Sequence, residues 1–214
     1  MARKALFGRI KAKRRQLDER SHDQGRKQSR RDLQPFIRKQ QNKRGQEMNQ
    51  RDKMIQIARA ELGYIEGPAD NQTKYQKANV AWCGAFVNWV AKQAGVRIPN
   101  CVYTPAGAVA FMDKNKWQDA ATATPEPGDI VFFDFPGDAL DRISHVGIVI
   151  KDNGDGTVTT IEGNTSPDKK GDQRNGGEVC RKIRAYQKKN RGKLKPSLAV
   201  TIVGFGKPTY KETE

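Results

Sequence analysis

Long apolar runs are missing from this chain of 214 residues, of which 36% are hydrophobic. A membrane-spanning helix needs about 18 or more consecutive apolar residues, so none is expected. The opening MARKALFGRIKAKRRQ carries basic residues but no uninterrupted apolar stretch, and it does not read as a secretory signal. Histidine and cysteine are scarce: His22, His145, Cys83, Cys101 and Cys180 are the full set. Three cysteines cannot all pair within one chain, so at least one thiol is expected to be free. Their spacing contains no CxxC pair, and with two histidines a zinc centre is not expected. GDG within KDNGDGTV lacks the ligand series of a calcium loop, and GKPTYKETE lacks the glycine-rich cradle of a Walker motif.

Acidic residues are scarce in one part of the chain only. Residues 1–50 hold 16 Lys or Arg against 5 Asp or Glu, whereas residues 51–214 hold 24 against 19. The first segment also has too few apolar side chains for a core of its own. It reads as a basic arm, flexible or helical only on a partner, with a short helix over Ala5 to Leu17. Such an arm attracts polyanions in a salt-sensitive way. Residues 51–207 are expected to form one folded domain, and residues 208–214 a C-terminal tail.

Within that domain the apolar spacing changes once. Met54, Ile55, Ile57, Ala58 and Leu62 recur at helical intervals, with Gly63 ending the turn. A second helix is predicted from about Cys83 to Gln93, stopped by Gly95, and a third from about Pro105. After TPEPG the pattern becomes strand-like: DIVFFDF, HVGIVI, TVTTIEG, EVCRKIRA and VTIVGFG, with DNGDG as a hairpin turn. Helices first and strands afterwards predict an α+β fold, helices packed on an antiparallel sheet.

The chemistry centres on Cys83 at the start of its predicted helix. Free backbone N–H groups and the helix dipole favour a thiolate there and offer donors to an oxyanion. His145, at the head of HVGIVI, is the one histidine of the domain and can take the thiol proton and later protonate an amine. IEGN supplies Glu162 and Asn164, which share a face if the strand runs straight through Gly163, and either can orient the imidazole. Cys101 reads as an exposed thiol without a base, and Cys180 as core packing.

WCGAFVNWV, followed by EPGDIVFF, SHVGIV and IEGN, resembles the CHAP family of cysteine, histidine-dependent amidohydrolases and peptidases, a branch of the papain-like and NlpC/P60-like folds. The resemblance covers roughly residues 53–206. It implies Cys83 as nucleophile, His145 as base, Glu162 as third polar residue and Asn164 as neighbouring orienter or substitute. Trp82 and Gly84 match the residues that flank the family nucleophile; Trp82 is expected to line the cleft and Gly84 to let the helix approach the strand. Asn71 and Tyr75 are candidate cleft donors, and Trp89 is expected against the sheet edge. Some family members hold calcium before the nucleophile, but NQTKYQKANVAW has no acidic residue, which argues against that site; no metal or cofactor is expected.

The resemblance implies cleavage of an amide bond in bacterial peptidoglycan, as an N-acetylmuramoyl-L-alanine amidase or endopeptidase. A phage endolysin or virion-associated lysin is expected, made in the host cytoplasm before release to the wall or carried in the virion. The arm would then bind anionic wall polymers, a membrane surface, DNA or a virion protein. The alternative is a noncatalytic virion or envelope-assembly module on the same fold.

Overall fold

The computed structural model describes residues 48–135, 142–168, 170–186 and 201–211. The basic arm and the helix expected over Ala5 to Leu17 lie outside the described residues. Three helices come first, α1 (Gln50–Ala60), α2 (Cys83–Ala94) and α3 (Thr104–Met112). Six strands follow, β1 (Trp117–Asp119), β2 (Ile130–Phe133), β3 (His145–Asp152), β4 (Thr157–Thr165), β5 (Glu178–Ala185) and β6 (Ile202–Gly206). The fold is α+β.

Each helix has a local cause. Asn49 caps α1 by accepting from the N–H of Asp52, and Met54, Ile55 and Ala58 turn inward. Leu62, expected on the same stripe, lies beyond the helix and is 40% exposed. α2 ends at Gly95, whose φ of 73° suits glycine, with the N–H of Val96 bonded back to the carbonyl of Ala91 at 2.8 Å. α3 starts with Pro105 in its first turn, where the missing N–H costs nothing.

The strands form one sheet in the order β1-β6-β2-β3-β4-β5, every pairing antiparallel. β2 and most of β3 are buried on both faces, which explains their unbroken apolar runs. One face, with Ile130, Phe132, Val146, Ile148 and Ile161, joins the helices in a single core. The other, with Val131, Phe133, Val149, Val158 and Phe205, forms a second apolar cluster. The sheet curls around this second cluster. Three strands separate β5 from β6, about 19 Å across a flat sheet. Yet the rings of Tyr186, just past β5, and Phe205 are 5.8 Å apart. Full burial of each large side chain contributes about 1.5–3 kcal/mol, so Trp82, Phe86, Phe111, Phe132 and Phe205 supply a large share of the driving force.

The edge strand β1 escaped the sequence pattern because three residues carry no readable alternation. Its Trp117 lies over β6, where a Cβ on Gly204 would fall 2.2 Å from the indole. Residues 208–211, set apart as a tail in the sequence, lie against α1. The Tyr210 hydroxyl donates to the carbonyl of Gly128 at 2.6 Å, and Arg51 covers its ring at 4.9 Å.

Candidate active site

Cys83 is the first residue of α2 and is 3% exposed. The N-cap Trp82 offers no side-chain acceptor, so the first-turn N–H groups stay available. Those of Gly84 and of Val146, across on β3, donate to the thiol sulfur. Burial opposes ionisation of the thiol, but the His145 imidazole and these two donors together pull its pKa below the ordinary value.

His145 opens β3 directly opposite Phe133 and is fully buried. Burial disfavours its cation, yet the Cys83 thiolate and then Glu162 outweigh that and push its pKa up to about 9. The paired directions describe a thiolate and imidazolium that titrate as a unit. His145 Nε2 stands 3.2 Å from Glu162 Oε2. Nδ1 is left as the nitrogen for the thiol. Neither ring nitrogen has a well-aligned hydrogen bond, so the approach to Glu162 is an ion pair of loose geometry.

Glu162 is fully buried and more heavily engaged than its neighbour requires. Thr160 Oγ1 donates to Oε1 at 2.5 Å, Arg184 Nε donates to Oε1 at 2.9 Å, and Arg184 Nη2 donates to Oε2 at 2.5 Å. Burial alone would raise its pKa; the Arg184 guanidinium, helped by His145, holds it well below the usual carboxylate range. Arg184 comes from β5, and its guanidinium lies 5.0 Å from the Phe135 ring and 5.5 Å from the Phe133 ring. The sequence pattern of EVCRKIRA gave no sign of it, because an alternating arginine on a late strand reads as a solvent-facing charge.

Asn164 does not share the Glu162 face. The register of β4 shifts between Glu162 and Thr165, and Asn164 takes a φ of 57°. Its side chain donates to Asn175 Oδ1 at 2.9 Å and Asn71 Oδ1 at 3.3 Å, and accepts from the N–H of Gly177 at 3.2 Å. It ties three chain segments together, and of the two candidate orienters Glu162 is the one beside the imidazole. Asn71, expected as a cleft donor, is spent in this network and on Asp70.

Tyr75 and Trp82 are core residues. Tyr75 is stacked on Trp82 at 5.4 Å and meets Tyr64, Phe86 and Trp89 edge-on. Its hydroxyl donates to Glu61, and the Trp82 indole N–H donates to Glu66, each at 2.5 Å. Trp89 therefore joins this aromatic cluster and not the sheet edge. Gly84 meets the backbone of Cys101; the glycine that admits α2 to the sheet is Gly163, where a Cβ would fall 2.7 Å from Phe86. Cys101 is fully buried, its thiol pushed up to about 12 by burial and by Cys83. Cys180 is buried as its strand position suggested, and all three thiols are free.

Exposed groups beside the site come from two converging segments. Val102 and Tyr103 follow the stretch that abuts Gly84, and Arg142 precedes His145 by three residues. Thr104 Oγ1 donates to the carbonyl of Ile143 at 2.9 Å, and Arg142 covers the Tyr103 ring at 5.4 Å. Among the described residues no three His, Cys, Asp or Glu side chains gather to hold a metal ion, and no helix is long and apolar enough to cross a membrane.

No curated protein matches the chain. A solved structure of an N-acetylmuramoyl-L-alanine amidase from Staphylococcus aureus aligns at 17% identity and a TM-score of 0.35, covering 64% of this chain and 37% of that one. The chain thus matches little more than a third of that protein's length. Residues 74–164, the stretch from Lys74 through Cys83, His145 and Glu162 to Asn164, match the family model of the CHAP domain.

Proposed function

We propose that the domain is a peptidoglycan hydrolase that uses Cys83 as nucleophile, His145 as general acid and base, and Glu162 to hold the imidazole. The observation that carries this reading is the thiol at the first position of α2. It is flanked by two backbone N–H donors and by an imidazole whose pKa is raised to about 9. The match of residues 74–164 to the CHAP domain supports it.

In the first half-reaction the Cys83 thiolate attacks the amide carbonyl carbon, forming a C–S bond. The negative charge collects on the carbonyl oxygen beside the first-turn N–H groups. The His145 imidazolium gives its proton to the amide nitrogen, the C–N bond breaks, and an amine leaves behind a thioester. In the second, neutral His145 takes a proton from water, hydroxide adds to the thioester carbon, and the C–S bond breaks to return the thiolate. Glu162 remains ionised throughout and stabilises the imidazolium.

The finer reading is an N-acetylmuramoyl-L-alanine amidase or an endopeptidase of a phage endolysin or virion-associated lysin. The basic segment 1–50 would tether it to anionic wall polymers. Digestion of purified peptidoglycans, with products read by mass spectrometry and Cys83→Ala as control, tests the assignment. A new free L-alanine amine means amidase action, and a break within the stem peptide or cross-bridge means endopeptidase action. Undiminished cleavage by a folded Cys83→Ala would overturn the nucleophile. Deleting residues 1–50 should weaken adsorption to intact walls in a salt-dependent way while sparing turnover of soluble fragments.

A further inference from the structure

Glu162 has two more partners than the hydrolase scheme uses, Thr160 and Arg184. Its Oε1 is occupied by Thr160 and by Arg184 Nε, and its Oε2 is shared between Arg184 Nη2 at 2.5 Å and His145 Nε2 at 3.2 Å. The fork of the guanidinium prevents the carboxylate from rotating. Arg184 is itself held: Phe133 and Phe135, the rings beneath its guanidinium, also flank the His145 ring at 5.5 and 5.6 Å. Guanidinium and imidazole thus share one buried pair of aromatic rings.

We propose that Arg184 is a positioning residue of the active site, which fixes Glu162 Oε2 toward His145 and moderates the negative charge that the imidazolium feels. The inference rests on Cys83 and His145 acting as the reactive pair. Its logic is a balance of two needs. A buried carboxylate facing the imidazolium alone would hold the proton so firmly that transfer to the leaving amine becomes slow. A carboxylate already paired with a guanidinium still orients the ring but grips the proton less.

Among the described residues the charged or titratable groups around the pair are few. α2 contributes Cys83; β5 contributes Arg184, Lys182 and Cys180; the connection after β4 contributes Asp172. Lys182 is turned toward the carbonyl of Ser166 at 2.6 Å, and among the described residues Arg184 is the cation in contact with Glu162. Removing a nearby positive charge makes every adjacent proton harder to lose. Both steps of the thiol and imidazole titration should therefore move to higher pH, the imidazolium step most because it shares Oε2.

Alkylation of Cys83 by iodoacetamide as a function of pH, read on the Cys83 peptide by mass spectrometry, tests this without any wall substrate. In Arg184→Gln, which keeps donors but loses the charge, the upper step should rise by about one pH unit or more, the scale of a lost neighbouring charge. In Arg184→Lys, which keeps the charge but loses the fork, it should rise clearly less than in Arg184→Gln. An unshifted upper step in a folded Arg184→Gln overturns the proposal, as does a Lys variant that behaves like Gln. Should Arg184→Gln fail to fold, Arg184→Met, uncharged but long enough to keep the packing on Phe133 and Phe135, decides: a raised step supports the role of the charge, and an unmoved one overturns it. Wall digestion is scored separately, so absence of cleavage by the wild type would sink the substrate reading and leave this result standing.

Discussion

A Cβ on residue 84 would fall 1.9 Å from the carbonyl oxygen of Cys101 and 2.3 Å from its carbonyl carbon. Gly84 is therefore the point at which the first turn of α2 rests on backbone, and backbone cannot yield as a side-chain tip does. In Gly84→Ala the helix start must move, and Cys83 moves with it. The expected cost is about 1–3 kcal/mol of stability from overpacking, seen as a lower Tm, with a larger loss of turnover as the thiol leaves His145. Gly95→Ala is the contrast. Its φ of 73° is strained for alanine, but Gln50 Nε2 at 3.6 Å is an ordinary contact. It should cost about 1 kcal/mol and leave turnover intact.

Much of this was legible in the sequence. Cys83 as helix start, Gly95 as helix stop, and the five longer strands follow from apolar period and turn residues, which are local properties. Glu162 was legible as a polar residue on a strand near His145. The burial of Trp82 and Tyr75 was not, because a cleft wall and a core wall have the same composition in one dimension. Neither was the divergence of Glu162 and Asn164, since a register shift has no local signature beyond an asparagine that tolerates positive φ. Arg184 needed the strand pairing: it meets Glu162 because β5 pairs with β4 in a register that sets Arg184 opposite Val158, on the same face as Glu162.

Asn164 and Glu162 should separate experimentally. Asn164→Ala removes the bonds to Asn71, Asn175 and Gly177 and leaves alanine at a φ of 57°. Stability should fall by about 1–3 kcal/mol, the scale of one broken buried network. Because the side chain does not touch His145, the pH dependence of Cys83 alkylation should keep its shape. A changed pH profile in a variant of unaltered fold would mean that Asn164 acts on the imidazole after all.

Glu162 links stability to pH with a definite sign. Its folded pKa is depressed, by Arg184 first and His145 next against the opposing effect of burial. A depressed carboxylate contributes stability that is fully present above the unfolded pKa, 4.5, and lost as pH falls toward the folded value. Denaturant unfolding from pH 6 down to pH 3 (about the range in which an ordinary carboxylate titrates) should show a steep loss in wild type. The loss should be shallower in Glu162→Gln, which starts lower at pH 6 because Arg184 has lost its partner. Parallel curves for the two proteins would show that Glu162 is not the group responsible.

Turnover itself should follow the paired titration. The thiolate exists below the ordinary thiol pKa because burial is outweighed by His145 and the N–H groups of Gly84 and Val146. The imidazolium that must protonate the leaving amine persists until its pKa of about 9. As pH rises through that value the nucleophile remains but the general acid is lost, so the rate of the first half-reaction should fall, whereas alkylation of Cys83 should pass its upper step onto a second plateau and stay fast. The two readouts should thus part company on the alkaline side. In Cys83→Ser the ion pair cannot form, the His145 pKa loses its largest supporting charge and falls, and turnover should drop by at least about a hundredfold. A wild-type turnover that keeps rising above pH 10 (about one unit beyond the imidazolium step, where roughly a tenth would remain protonated) would exclude His145 as the proton donor.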